Sequence, residues 1–153
     1  MLYYAYGSNM NWPQMKKRCP SAQFVSVARL SGHRLAFSRM SNRRGCGSAD
    51  VIPAEGHAVW GVIYEIEKGE ITNLDEAEDF VPGRAQNGYT RQQTLVYTDG
   101  KENPVLVSLY FAEKQKNPPL PSTDYKQLIV EGAKHWHLPQ EYIEGLEQIK
   151  VAP

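Results

Sequence analysis

Between residues 2 and 111 the chain returns six times to strand chemistry, in Leu2–Tyr6, Phe24–Leu30, Leu35–Phe37, Val59–Ile66, Thr90–Tyr97 and Val105–Phe111. Val, Ile, Tyr and Phe dominate these runs, and Gly, Pro, Asn or Asp punctuates most of the gaps; branched and aromatic side chains suit a pleated, half-buried surface. A sheet is therefore the first demand this sequence makes. Helical periodicity is confined to four short places. Trp12–Arg18 has Asn11 as its cap and Pro13 in its first turn. A second segment covers Ile71–Phe80. A third runs from about Asp124 to His135, with Tyr125, Leu128, Ile129 and Ala133 on one face behind Ser122 and Thr123. The last, Gln140–Ile149, gathers Tyr142, Ile143, Leu146 and Ile149. Strands ahead of and between a few helices predict an α+β fold, a small mixed sheet, curled or closed into a β-barrel, with peripheral helices laid against it. The pattern itself leaves closure open. The proline-rich "NPPLPS" at 117–122 reads as an extended connector.

At 153 residues the chain suffices for a single domain, 1–153, built around one core. Lys plus Arg and Asp plus Glu balance at 17 each, with no long block of either sign. That balance argues against a nucleic-acid footprint or a polybasic membrane anchor and favours a small-molecule partner. No basic leader with an apolar core and no bilayer-length apolar run is present, so a soluble, cytoplasmic protein is expected. Cys19 and Cys46 are too few for a disulfide framework and lack zinc-site spacing, which predicts reduced, structural thiols and no bound metal. His135 and His137 flank Trp136 without a third ligand and read as helix-end residues interacting with the helix dipole.

Two stretches carry chemistry. "ITNLDEAEDF", residues 71–80, holds four carboxylates, ordinarily the mark of a solvated helix face. At about 100° per residue, Ile71, Leu74, Ala77 and Val81 gather on one side, and Glu78 lies roughly 50° from the centre of that stripe. Asp75 falls on the flank, and Glu76 and Asp79 point nearly the opposite way. Glu78 is thus the carboxylate expected in low-dielectric surroundings, where its pKa rises and it gains the character of a general base. At the other end of the chain, "YYAYGSN" at 3–9 takes a strand straight into Gly-Ser-Asn just before a helix start. Such a turn presents backbone N–H groups without helical partners, able to hold a carboxylate or an oxyanion. Gly7 would permit positive φ or close approach to a ligand, and Ser8 could add a hydroxyl donor. A serine-hydrolase elbow is discounted, because "YGSN" lacks the second glycine and no His is tied to Ser8 by sequence.

Taken together, these stretches resemble the gamma-glutamylcyclotransferase family of the AIG2-like superfamily. "YYAYGSNM" looks like that family's substrate loop, and "LDEAED" looks like its Leu-Asp-x-x-Glu element, with Glu78 at the acid/base position. "GHAVWGVIYEI" at 56–66, "GYTR" at 88–91 and "PSTDYKQLIVEGAKHWHLPQEYIEGL" at 121–146 resemble its connecting strands and C-terminal helices in order. Many members place Gly directly after the catalytic Glu, where this chain has Asp79, so the helix exit and the charge beside Glu78 are open to change. The segment "SRMSNRRGCG" at 38–47 has no close counterpart, and its Arg39, Arg43 and Arg44 are either a solvated loop or selectors of an anionic substrate.

The resemblance implies the family's closed-barrel fold and a reaction that needs no cofactor. A gamma-glutamyl amino acid or amine closes its α-nitrogen onto its own γ-carbonyl, releasing 5-oxoproline and the free amine, with Glu78 as base and then acid. It implies substrate contacts from Tyr3, Tyr4, Ala5, Tyr6, Gly7, Ser8 and Asn9. Tyr125 is expected to bond the substrate or Glu78 or else to pack in the core, and Tyr89 is a weaker candidate of the same kind. The alternatives are a biosynthetic relative that removes a gamma-glutamyl group from a larger amine, and a non-catalytic carboxylate-binding module on the same fold. The leaving amine and the oligomeric state are not legible.

Overall fold

The computed structural model describes residues 1–98 and 103–153. Its elements are β1 (Leu2–Ala5), α1 (Trp12–Arg18), β2 (Gln23–Ser41), β3 (Cys46–Glu65), α2 (Ile71–Ala77), β4 (Tyr89–Thr98), β5 (Pro104–Ala112), α3 (Thr123–His135) and α4 (Gln140–Glu147). The strands close a barrel in the order β1-β3-β2-β4-β5. Tyr3 of β1 lies opposite Ser108 of β5 in the one parallel pairing; the others are antiparallel. The expected α+β fold is therefore a closed mixed barrel with the helices outside it. Closure abolishes free sheet edges, and it depends on four residues of β1, a strand short enough that periodicity alone gives it little weight.

Two strand expectations need correction. Phe24–Leu30 and Leu35–Phe37 are parts of one strand of 19 residues, β2. Between them Gly32, at φ 72°, absorbs a register shift between Ser31 and His33 and bends the strand without ending it. Its partner β3 starts at Cys46, well before the predicted Val59, and runs through Pro53 and Gly56. Gly56, at φ 79°, falls in the stretch of β3 opposite that bend. Beyond the bend, His33–Ser41 and Cys46–Pro53 form a hairpin arm whose tip carries Asn42, Arg43 and Arg44.

Tyr4, Met10, Met15, Val62, Ile63, Tyr64, Leu74 and Ile129 are fully buried in the core. Helix α3 crosses the turn after β1 so closely that a side chain at Gly132 would collide with the backbone of Met10. The Trp136 indole N–H donates to the Met10 carbonyl at 3.0 Å, and the Tyr64 hydroxyl donates to the Asn9 carbonyl at 2.9 Å. The turn is thus clamped by α3 with its exit at Trp136 and by the barrel wall. Cys19 and Cys46 are buried free thiols. Among the described residues no helix is long and apolar enough to cross a membrane.

Candidate active site

After β1 the chain makes one turn of 3-10 helix, Ser8–Met10, and α1 follows with the Asn11 side chain accepting the Gln14 N–H at 3.1 Å. The Ser8 and Asn9 N–H groups open the 3-10 turn with no earlier carbonyl of that turn to bond. Gly7 does not take positive φ: it sits at φ −118°, ψ −136°. A Cβ there would stand 3.2 Å from the Ala49 Cβ, so the close approach of β3 crowds any side chain at this position. Asn9 is the hub of the turn. Its amide N–H₂ donates to the Tyr3 hydroxyl at 2.9 Å, and its carbonyl accepts from Gln14 and Arg18, each at 2.9 Å. The Ser8 hydroxyl accepts a second Gln14 bond at 2.9 Å. Tyr3, Tyr6, Gly7, Ser8 and Asn9 line one cavity of about 340 Å³. Tyr4 and Ala5 do not reach it. The Tyr4 ring points into the core, within hydrogen-bond distance of the Ala28 and Val59 carbonyls, because successive strand residues face opposite ways.

Glu78 lines the same cavity from the other side. Helix α2 ends at Ala77, short of the expected Phe80, and Glu78 is its C-cap. The Asp79 N–H donates to the Glu76 carbonyl at 3.2 Å and the Phe80 N–H to the Asp75 carbonyl at 2.9 Å, while Asp79 itself stands at φ 50°. This is the Schellman arrangement, in which the residue after the cap turns left-handed and glycine fits without cost. Aspartate tolerates that region better than most residues. Arg84 holds it there, donating to the Asp79 carbonyl at 3.0 Å and pairing with its carboxylate at 2.9 Å. The departure from the family's glycine thus leaves the helix exit intact. Asp79 lines the cavity beside Glu78, but its carboxylate is paired with Arg84 and is not among the groups that shift the Glu78 pKa.

The Glu78 carboxylate has no hydrogen-bond or ion-pair partner among the described residues and keeps part of its surface in the cavity. Burial against the surrounding atoms raises its pKa above the ordinary glutamate range, while Arg18, Arg44 and Arg43 pull it partly back. Asp75, expected on the flank, is the most buried carboxylate of the segment. Its charge is compensated by Arg91 at 3.0 Å and by the Tyr110 hydroxyl, which donates to it at 2.6 Å. One residue of the helix therefore buys structure while the other keeps a reactive group unpaired.

The remaining walls come from β3, β4 and α3. The Tyr125 hydroxyl accepts the Ala49 N–H at 2.9 Å, and the Tyr89 hydroxyl contacts the Ala49 carbonyl at 2.6 Å and Ser48 Oγ at 2.7 Å. Both tyrosines line the cavity. Their hydrogen bonds go to β3, so of the alternatives open for Tyr125 a bond to Glu78 is not formed, and the ring is buried while its hydroxyl side lines the cavity. Sequence reasoning missed Arg18, whose guanidinium reaches Asn9 and is the leading cation on Glu78. The available signal was its place one turn beyond Gln14 and next to the buried Met15 stripe. His135 and His137 lie outside the site, at the end of α3.

A closed mixed barrel with a Gly-Ser-Asn turn facing a helix-capping glutamate across one cavity defines an AIG2-like protein, and the model of the AIG2-like family matches residues 58–146. A gamma-glutamylcyclotransferase from Mus musculus is 38% identical over 154 residues, 97% of this chain and 78% of its own. The Homo sapiens gamma-glutamylcyclotransferase is 35% identical over the same shares. A solved structure of a gamma-glutamyl cyclotransferase superposes with a TM-score of 0.90 at 32% identity, covering 99% of this chain and 89% of that one. The chain belongs to the gamma-glutamylcyclotransferase family.

Proposed function

We propose that the protein converts a gamma-glutamyl amino acid or amine into 5-oxoproline and the free amine. The observation that carries this reading is Glu78, an unpaired carboxylate with a raised pKa, facing the cavity that the Tyr6–Asn9 turn also lines. The cavity is of small-molecule size. In the reaction the α-nitrogen attacks the γ-carbonyl carbon, the new ring C–N bond forms, and the old amide C–N bond breaks. Nucleophile and electrophile belong to one molecule, so a turn that fixes the folded-back conformer supplies much of the rate.

The proton sets the demand on Glu78. An α-ammonium of pKa about 8 gives its proton poorly to a carboxylate near 4.3, and raising the acceptor narrows that gap. Glu78 takes one proton from the α-ammonium and a second from the same nitrogen as the ring closes, passing each in turn to the leaving nitrogen, which departs as an ammonium, so the proton balance closes with no co-reactant. The N–H groups of the turn bind substrate oxygens, and Asn9, held by Tyr3, Gln14 and Arg18, keeps the turn in place. Tyr89 and Tyr125 fix Ala49 against Gly7 and shape the wall. Buried free thiols suit a reducing, cytoplasmic setting. Incubation with gamma-glutamyl-alanine and chromatographic detection of 5-oxoproline tests the reading; failure to turn over any of a panel of gamma-glutamyl donors would sink it.

A further inference from the structure

The hairpin arm formed by β2 and β3 brings Arg39, Arg43 and Arg44 to the cavity wall. Arg44 also reaches back to α1, where its guanidinium donates to the Gln14 side-chain oxygen at 2.7 Å. A guanidinium donates and never accepts, so this bond decides which way round the Gln14 amide stands. The Gln14 side-chain nitrogen is thereby turned to the N-terminal turn, where both of its hydrogens are used. One goes to Ser8 Oγ and one to the Asn9 side-chain oxygen, each at 2.9 Å. Arg18 fixes the Asn9 amide in the same manner, donating to that oxygen at 2.9 Å, which leaves the Asn9 nitrogen to donate to the Tyr3 hydroxyl at 2.9 Å. Two arginines thus set the direction of the whole chain of bonds.

That direction governs the hydroxyls at its ends. Ser8 and Tyr3 each receive a hydrogen bond on oxygen and keep their own hydrogen to give. Both residues line the cavity, and among the described residues neither hydrogen goes to a protein acceptor. Burial, and after it the Glu78 charge, raises the Tyr3 pKa, so this hydroxyl stays protonated. Gln14 is half-buried and forms no part of the cavity wall.

This inference rests on the proposed cyclisation. We propose that Gln14 is a positioning residue of that reaction: held by Arg44, its amide orients the Ser8 hydroxyl, and through Asn9 the Tyr3 hydroxyl, so that both present their hydrogens to the cavity, the Ser8 hydrogen to the γ-carbonyl oxygen of the substrate. As the α-nitrogen attacks, negative charge grows on that oxygen, and a donor already aimed at it needs no reorientation. The tip of the hairpin arm therefore acts on the turn through a side chain that the substrate does not touch.

The test sets stability against activity in two variants. Gln14→Met keeps the length of the side chain and deletes all three of its bonds. Gln14→Glu keeps the bond to Arg44, now charge-assisted, but offers Ser8 an acceptor in place of a donor, so the Ser8 hydrogen turns away from the cavity. Were Gln14 only a tie between hairpin and turn, kcat would follow the melting temperature and Gln14→Met would be the poorer enzyme. The opposite order is expected: Gln14→Glu melts above Gln14→Met yet has the lower kcat with gamma-glutamyl-alanine. Its kcat falls about tenfold below the wild type, less than the outright loss of an oxyanion donor, and falls more than KM rises. A calorimetric arm uses glutaryl-alanine, which carries the γ-amide carbonyl but lacks the α-amine and cannot cyclise; Gln14→Glu is expected to weaken its binding about threefold, the ground-state oxygen being the poorer acceptor. Ser8→Ala separates orientation from the added charge: with no hydroxyl left to turn, each of these losses shrinks about threefold in that background. Equal losses in both backgrounds, activities that follow the melts, or no binding of glutaryl-alanine by the wild type overturn the inference. A wild type that binds glutaryl-alanine without turning over gamma-glutamyl-alanine contradicts the cyclisation, and the binding cycle then decides on Gln14.

Discussion

The Phe80 N–H closes onto the Asp75 carbonyl at 2.9 Å, so that α2 ends in a left-handed turn at Asp79 with Glu78 as its cap. A cap position is fixed by main-chain bonds on both sides, and the Glu78 side chain inherits that order. Replacing Asp79 by Gly relieves the left-handed strain and loses an exposed ion pair, two terms of about 1 kcal/mol or less and opposite sign. Asp79→Gly should therefore unfold within about 1 kcal/mol of the wild type and keep its activity. Asp79→Val, a branched residue in the same conformation, should cost about 1–2 kcal/mol and lower kcat more than it raises KM. Denaturant melts and steady-state kinetics on both variants check this.

Removing the Asp75 side chain strands Arg91 and the Tyr110 hydroxyl in a largely buried setting. Breaking a pair of this kind by deleting one partner is costly, and partial exposure of Arg91 moderates the loss to about 2–4 kcal/mol. Asp75→Ala should melt about 4–16 °C below the wild type. An Asp75→Ala protein that melts with the wild type would show that the pair contributes nothing.

Glu78 gives a stability signature opposite to that of a structural carboxylate. Its pKa in the folded protein is raised above the unfolded value, so the folded state binds this proton more tightly. The ionised group therefore costs stability, and the cost develops as pH rises from the ordinary glutamate value, about 4.3, through the raised one. Glu78→Gln should melt higher than the wild type at neutral pH, and the difference should vanish below pH 4. Thermal melts of both proteins across that range check the sign.

Arg18 is the leading cation holding the Glu78 pKa down. Taking it away leaves burial less opposed. In Arg18→Gln the acid limb of the pH profile of kcat/KM should move to higher pH than in the wild type, whose own limb lies above the ordinary glutamate range. A limb that stays in place while activity falls uniformly would assign Arg18 to holding Asn9 alone.

The strand runs, the four helices and the resemblance carried most of this fold in the sequence, because alternation and capping are local signals. What stayed hidden was non-local. Gly32 and Gly56 fall in gaps between the predicted strands, yet β2 and β3 run continuously through them, and no local pattern reports what lies across a hairpin. Asp75 looked peripheral on a helical wheel because its burial comes from Arg91 and Tyr110 on β4 and β5. Gly7 was legible as a constrained position, but the constraint comes from Ala49 on β3, which only closure of the barrel brings near. The segment holding Glu78 was found by periodicity, although Glu78 caps the helix instead of lying within it. The hairpin arginines had no family pattern to match, so their place at the cavity came only with the course of the long strands.

The central claim is that Glu78 moves the proton in an intramolecular cyclisation supported by the N-terminal turn. Its most direct test is the rate of 5-oxoproline formation from gamma-glutamyl-alanine by the wild type and by Glu78→Gln, with folding of both verified by their melts. The account predicts product from the wild type and a loss of at least about 100-fold in kcat for the variant, in line with the contribution of a positioned acid/base. Equal rates from the two proteins would contradict it.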